Sequence, residues 1–161
     1  MINYEIPSKT TIGHIHLTVS NIENSLKFYR DLLGFEITQN LGEAVFLSAG
    51  GYHHHIGLNT WSKDNARHPE EGQIGLYHFA ILYPTRKDLA KALAVLLKEN
   101  YPINGASDHG VSEAIYLKDP DGNSIELYTD RPKAEWSKDT NGNPLMYTKA
   151  LDINSLLKEA T

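Results

Sequence analysis

Eight histidines punctuate the 161-residue chain, at 14, 16, 53, 54, 55, 68, 78 and 109, and no cysteine accompanies them. A metal site here would rest on imidazole and carboxylate donors alone, and neither a Cys-built zinc site nor a cysteine nucleophile is open to the chain. Two of the histidines, His14 and His16, stand in the run Gly-His-Ile-His-Leu-Thr-Val. Side chains alternate along a strand, so both point to one face while Ile15 and Leu17 point to the other. In the run Ser-Ile-Glu-Leu-Tyr, Glu126 is opposite in sense to Ile125 and Leu127, which read as core. A carboxylate between core residues costs free energy if buried unpaired, so a cationic group should compensate it. A histidine alone in a strand is ordinarily a hydrogen-bonded core or surface residue, and Glu126 alone could pair with a surface lysine. As a set, two imidazoles and one carboxylate converging on a cavity are the ingredients of a facial triad, which binds divalent iron and leaves coordination positions open.

Such convergence requires distant segments to meet, and the chain holds two stretches of one layout. In the first, residues 12–19 read as a strand. Ser20 and Glu23 then form a capping box before apolar positions Ile22, Leu26, Tyr29 and Leu33 on one helical face, with Gly34 as the stop. In the second, a strand at 76–82 meets Pro84. Thr85 and Asp88 repeat the capping signature, and Leu89, Ala92, Leu93 and Leu96 form the stripe up to Asn100. His14 and His78 occupy the same place in the two units. Each unit continues into a hairpin, 43–59 or 113–128, turning through Ala-Gly-Gly in one and Asp-Pro-Asp-Gly in the other. A further strand near 35–41 or 102–107 completes each unit as βαβββ. The expected architecture is α+β: two paired βαβββ modules, about 10–61 and about 74–130, forming a cupped, barrel-like mixed sheet around a metal site. The whole of 1–161 is read as one domain. A polar linker runs from Ser62 to Gln73, and the C-terminal extension 131–161 reads as irregular chain ending in a short helix. Pairing two such modules places their first and last strands around a shared concavity.

Composition bounds the partners. Fifteen Lys and Arg against 20 Asp and Glu give a net charge of −5, which argues against a phosphate-backbone binder with its basic face. The longest apolar run, Ala92 to Leu97, is six residues, far short of the roughly 20 a membrane span needs. A hydrophobic fraction of 40% with 22% charged residues is that of a globular chain. The expectation is a cytoplasmic protein without nucleic-acid or membrane partners.

The phrases HIHLTVSNIENSLKFYRDLLGF and IYLKDPDGNSIELY resemble the vicinal oxygen chelate superfamily, which includes glyoxalase I, fosfomycin-resistance thiol transferases, bleomycin-resistance proteins and extradiol dioxygenases. The resemblance spans residues 10–130. Within it, AGGYHHHIGLNTW, GLYHFAILYPTRKDLA and DHGVSEAIYLKDPDGNSIELYTDRP look most like the bacillus-type catechol 2,3-dioxygenases. The resemblance implies metal ligands at His14, His78 and Glu126, with iron(II) as the cation and manganese(II) or another divalent metal as alternatives. It implies an acid–base role for His55, although His53 and His54 stand beside it and alternation lets only His53 and His55 share a face. It matches His109 and Tyr116 to groups that hydrogen-bond the reacting substrate. The bland readings remain beside these: a solvated turn histidine at 109, and a core aromatic at 116 like Phe46 at the matching site. His16 is expected to line the substrate pocket and His68 to lie on the surface.

A catechol and dioxygen would share the open positions of such an ion, and the cation would acidify the bound diol. The implied activity is extradiol ring cleavage of a small aromatic diol by O2. The alternatives are a glyoxalase-like or fosfomycin-resistance-like metal-dependent lyase or thiol transferase, or a non-catalytic small-molecule-binding protein. Familiar extradiol enzymes carry two such domains where this chain carries one, so a homodimer is expected to stand in for the second.

Overall fold

A computed structural model describes residues 3–62, 67, 68, 70 and 72–161. Strand β1 (Ile15–Thr18) leads through Asn21 into helix α1 (Ile22–Leu26), followed by β2 (Glu36–Asn40), β3 (Ala44–Ser48) and β4 (Ile56–Asn59). The second unit repeats this as β5 (Phe79–Leu82), helix α2 (Arg86–Lys98), β6 (Gly105–Asp108), β7 (Ser112–Lys118) and β8 (Ser124–Asp130). The extension adds β9 (Lys149–Ala150) and helix α3 (Ile153–Leu157). Two mixed sheets result, in strand order β1-β4-β3-β2 and β5-β8-β7-β6-β9. Each module forms its own mixed sheet as expected, but among the described residues the two remain separate and no barrel closes.

The second helix follows its sequence signals closely. The Thr85 hydroxyl accepts from the Asp88 amide at 3.1 Å and donates to the Asp88 carboxylate at 2.6 Å, a reciprocal cap that satisfies an otherwise orphaned N–H. Leu89, Ala90, Leu93 and Leu96 are its buried face, so Ala90 takes the place expected of Ala92, which is half-buried. Asn100 ends it with a positive φ of 53°, tolerated because asparagine visits the left-handed region more readily than most residues. The first helix departs from expectation. Its cap is Asn21, whose side chain accepts from the Asn24 amide at 2.9 Å, and not Ser20. The Ser20 amide instead donates to Asp121 across the chain at 3.1 Å. Beyond Leu26 the helix widens into a π-helical stretch, Lys27–Leu32. Wider turns put adjacent residues Phe28 and Tyr29 into the core together, 2% and 0% exposed.

Those two aromatics join the modules. The Phe28 ring lies 5.0 Å from Tyr101, and the Tyr29 hydroxyl donates to the buried Asp119 carboxylate at 2.7 Å. Burial, and then the Asp119 charge, push the Tyr29 phenol well above its ordinary range. One apolar core runs through both modules and takes in Leu156 of α3. The extension is further fastened by buried Glu113, which accepts from Arg86 at 2.6 Å and Arg131 at 2.8 Å, while Arg86 also pairs with Glu159.

Candidate functional site

Strand β5 runs parallel to β8 with Ala80 opposite Glu126, and β7 runs antiparallel with Tyr116 opposite Glu126. Ile125 and Leu127 are fully buried, so alternation turns Glu126 to the other face. There the Nε2 of His78, which immediately precedes β5, lies 3.0 Å from Glu126 Oε2. The carboxylate that needed a cationic partner has an imidazole. Its other oxygen, Oε1, lies 3.2 Å from the Tyr116 hydroxyl, and that hydroxyl lies 2.6 Å from His109 Nε2. Burial, then the charge of Glu126, push the Tyr116 phenol up to about 12, so it keeps its proton at neutral pH. His109 Nδ1 in turn lies 2.9 Å from the carbonyl oxygen of Tyr147. A chain of four side chains thus crosses one sheet face, from His78 through Glu126 and Tyr116 to His109.

The first module carries a different set. His14 immediately precedes β1, and both His14 and His16 are exposed while Leu17 is buried, as alternation requires. The His14 ring packs on His54 at 4.4 Å, and His54 on Phe46 at 4.9 Å. His54 and His53 approach Nδ1 to Nδ1 at 2.7 Å. Burial, then the neighbouring imidazoles, lower the pKa of His54. His55 faces elsewhere: its Nδ1 accepts from the Ala49 amide at 3.3 Å and lies 3.1 Å from Ser48 Oγ. An Nδ1 that accepts from an amide leaves a neutral ring with its proton on Nε2. Strand alternation does not govern this triplet, because β4 begins only at Ile56. His16 packs against Phe46 and Trp61, 5.8 and 5.4 Å between ring centroids, and His68 is exposed.

The arrangement therefore unites His78, Glu126, Tyr116 and His109 and leaves His14 with His54 on the other sheet. Among the described residues, no group of three histidine, aspartate or glutamate side chains forms a cluster that could hold a metal ion. By donor chemistry the pair His78 and Glu126 suits half of a divalent-cation site: a neutral nitrogen and an anionic oxygen converge, and one carboxylate oxygen is left facing the imidazole. Sequence reasoning missed two neighbours. His54 rather than His55 stands beside His14, and the carbonyl of Tyr147, in a segment with no helical or strand periodicity, reaches the site from the C-terminal extension.

Two βαβββ units of four strands, each opened by a strand that a histidine immediately precedes and that pairs in parallel with the unit's last strand, define a two-sheet protein with a histidine–carboxylate face. The profile of the Glyoxalase/Bleomycin resistance protein/Dioxygenase superfamily matches residues 11–127, and the chain belongs to that superfamily. It is 44% identical over 155 residues to the catechol-2,3-dioxygenase of Bacillus subtilis (strain 168), covering 96% of this chain and 54% of that protein. It is 30% identical over 131 residues to a manganese-dependent 2,3-dihydroxybiphenyl 1,2-dioxygenase of Geobacillus genomosp. 3, covering 78% of this chain and 39% of that one. The chain thus spans about half the length of these curated relatives. In fold it is similar to a glyoxalase/dioxygenase from Nostoc punctiforme, with a TM-score of 0.62 at 16% identity over 82% of this chain and all of the other.

Proposed function

We propose that this chain carries the metal-dependent site of an extradiol-type dioxygenase acting on a catechol-like diol with O2. The single observation that carries the reading is the linked set His78–Glu126–Tyr116–His109 on one sheet face, taken together with 44% identity to a catechol-2,3-dioxygenase. His78, Glu126 and His14 would hold the ion, iron(II) or manganese(II). Such a cation, when bound, supplies Lewis acidity that lets a diol bind as its anion at neutral pH.

The chain's own groups then have separable tasks. Glu126 supplies the one negative charge of the donor set. Tyr116, kept protonated, holds its hydroxyl beside that carboxylate and so beside any substrate oxygen held there. His109 orients the Tyr116 hydroxyl. His55 serves as the acid–base group in the same proposal. His16, with Phe46 and Trp61, offers an aromatic wall suited to a planar ring. A homodimer located in the cytoplasm belongs to the same proposal. No helix among the described residues is long and apolar enough to cross a membrane. Exposed Ile12, Trp61, Tyr77 and Leu82 offer apolar surface for a second copy to cover.

The test is metal analysis of protein purified without a chelating column, then anaerobic iron loading and a panel of substituted catechols. Oxygen uptake with a yellow ring-opened product supports the reading. Protein that carries iron yet consumes no oxygen with any of the panel overturns it.

A further inference from the structure

The C-terminal extension crosses back over the second module, and its contact with the site falls on one imidazole. Strand β9 pairs antiparallel with β6, Asp108 opposite Lys149 and Ser107 opposite Ala150. Just before that ladder the chain clasps His109 from two sides. The Tyr147 amide donates to the His109 carbonyl at 3.3 Å, and the Tyr147 carbonyl oxygen faces His109 Nδ1 at 2.9 Å. The clasp is fitted to its loop. Gly110 has a φ of +79°, and a Cβ built there would meet the Tyr147 ring at 2.6 Å, so only glycine lets that ring lie flat on the turn. The loop is also braced from below, with the Gly110 amide on Asp108 Oδ1 at 2.8 Å and Arg131 on Asp108 Oδ2 at 3.0 Å.

We propose that this strap, residues 145–150, is a positioning element of the site that fixes the tautomer of His109 and through it the direction of the Tyr116 hydroxyl. The argument is one of proton counting. A backbone carbonyl only accepts, and at 2.9 Å it is closer to Nδ1 than the Thr148 hydroxyl, which could accept or donate, is at 3.4 Å, so the ring nitrogen facing it carries the proton. In the neutral ring Nε2 is then a bare lone pair, and it lies 2.6 Å from the Tyr116 oxygen. A phenol has one proton to give. With an acceptor at 2.6 Å and the Glu126 carboxylate at 3.2 Å, that proton goes to His109. Glu126 keeps both oxygens as acceptors and its full basicity toward a cation. If the tautomer were the other one, Nε2–H would donate to the Tyr116 oxygen and turn the phenol proton onto Glu126, weakening it as an anionic ligand. The Tyr147 carbonyl therefore acts on the carboxylate from three groups away, while touching neither it nor a substrate. This last consequence rests on the reading of Glu126 as a ligand; the tautomer does not.

The test reads ring nitrogens directly. Long-range proton–nitrogen correlation spectra of protein labelled with 15N-histidine, recorded on the purified chain without added metal, distinguish Nδ1–H from Nε2–H. The wild type is expected to show neutral His109 as a single Nδ1–H species. Tyr116→Phe removes the partner at Nε2 and leaves the strap, so Nδ1–H should persist. Tyr147→Phe keeps the ring on Gly110 and should match the wild type. Tyr147→Gly removes the ring and frees the backbone, and should move the tautomer ratio toward Nε2–H by roughly 2- to 10-fold, the range of one net hydrogen bond. Its other histidine signals should stay in place. An Nε2–H ring in the wild type overturns the proposal. So does loss of Nδ1–H in Tyr116→Phe, which would make the phenol and not the strap the determinant. Because the spectra need neither metal nor oxygen, a failed catechol assay leaves this result standing, and the reverse holds as well.

Discussion

The two modules share a backbone and diverge side chain by side chain at the same register. In the second, β7 and β8 place Tyr116 opposite Glu126, with Ala80 of β5 alongside; in the first, β3 and β4 place Phe46 opposite Gly57, with His16 of β1 alongside. The carboxylate position of one module is thus a glycine in the other, the phenol is a phenyl, and the small alanine is an imidazole. The exchange is sterically coupled. A Cβ at Gly57 would come within 2.9 Å of the His16 ring, so the His16 ring fills the space a side chain would take. One copy has become a polar, charge-bearing face and the other an aromatic, imidazole-lined one. What a duplicated fold conserves is the place of a site, and the chemistry at each copy is free to separate.

The change expected to disturb this difference most is Glu126→Gln, which removes the charge from the one register position where the first module has an uncharged glycine. Groups that only orient a ligand typically cost 10- to 100-fold in metal affinity, so loss of the anionic donor itself should cost about 100-fold or more. Manganese titration followed by EPR or calorimetry checks it, and unchanged affinity would remove Glu126 from the ligand set. Metal release on acidification should accompany it in the wild type, since protons compete for the imidazoles.

A second effect is carried by buried and half-buried phenols at the module junction and in the second module. Burial pushes Tyr83 and Tyr101 up to about 12, and burial with the Asp119 charge raises Tyr29 further. The unfolded chain ionises tyrosine near 10. Between about pH 10 and 12 the folded state binds more protons than the unfolded one, so stability, fully present below pH 10, falls as pH rises through that window. Urea midpoints from pH 8 to 11.5 should be level and then decline, and Tyr83→Phe should shallow the decline. A midpoint that rises above pH 10 contradicts the assignment.

Next in size is the steric pair. Gly57→Ala should cost roughly 1–3 kcal/mol as an overpacked contact, and His16→Ala in the same chain should return most of it. Thermal melts of the two single variants and the double one decide this. If the second change recovers nothing, the glycine is required by something other than the ring.

Much of this was legible because it depends on local pattern. The Thr85–Asp88 cap, the buried stripe of α2 and the alternation around Glu126 each follow from spacing of three or two residues, and the need of Glu126 for a partner follows from desolvation alone. What was not legible depends on tertiary alternatives of nearly equal local merit. Ser20 and Asn21 are both good caps, and Asp121 from the other module decides between them by taking the Ser20 amide. The π-helical turn exists because Phe28 and Tyr29 both have a place at the junction, which no 3.6-residue period announces. The histidine triplet lies in a loop, where alternation has no authority. Before β9 the strap is irregular chain, and its contribution to the site is a main-chain carbonyl that no side-chain pattern encodes.

The smallest contrast concerns the two helix starts. Thr85 makes two side-chain bonds to Asp88, accepting from its amide and donating to its carboxylate, in a first turn where Arg86 is also paired with Glu113 and Glu159. Asn21 accepts from the Asn24 amide, but its own carbonyl also accepts from the Ser25 hydroxyl at 3.1 Å, and Ser20 beside it is tied to Asp121 at 3.1 Å. Removing a cap exposes its N–H to competition only as far as the turn can loosen. Thr85→Ala, which breaks two bonds, should cost about 1 kcal/mol, in the usual range for capping residues, and Asn21→Ala, which breaks one, less. Urea denaturation of the two variants at equal m-value measures both. A larger loss at Asn21 would mean that the cross-module tie depends on that cap, so that the short first helix, and not α2, limits how firmly its module is built.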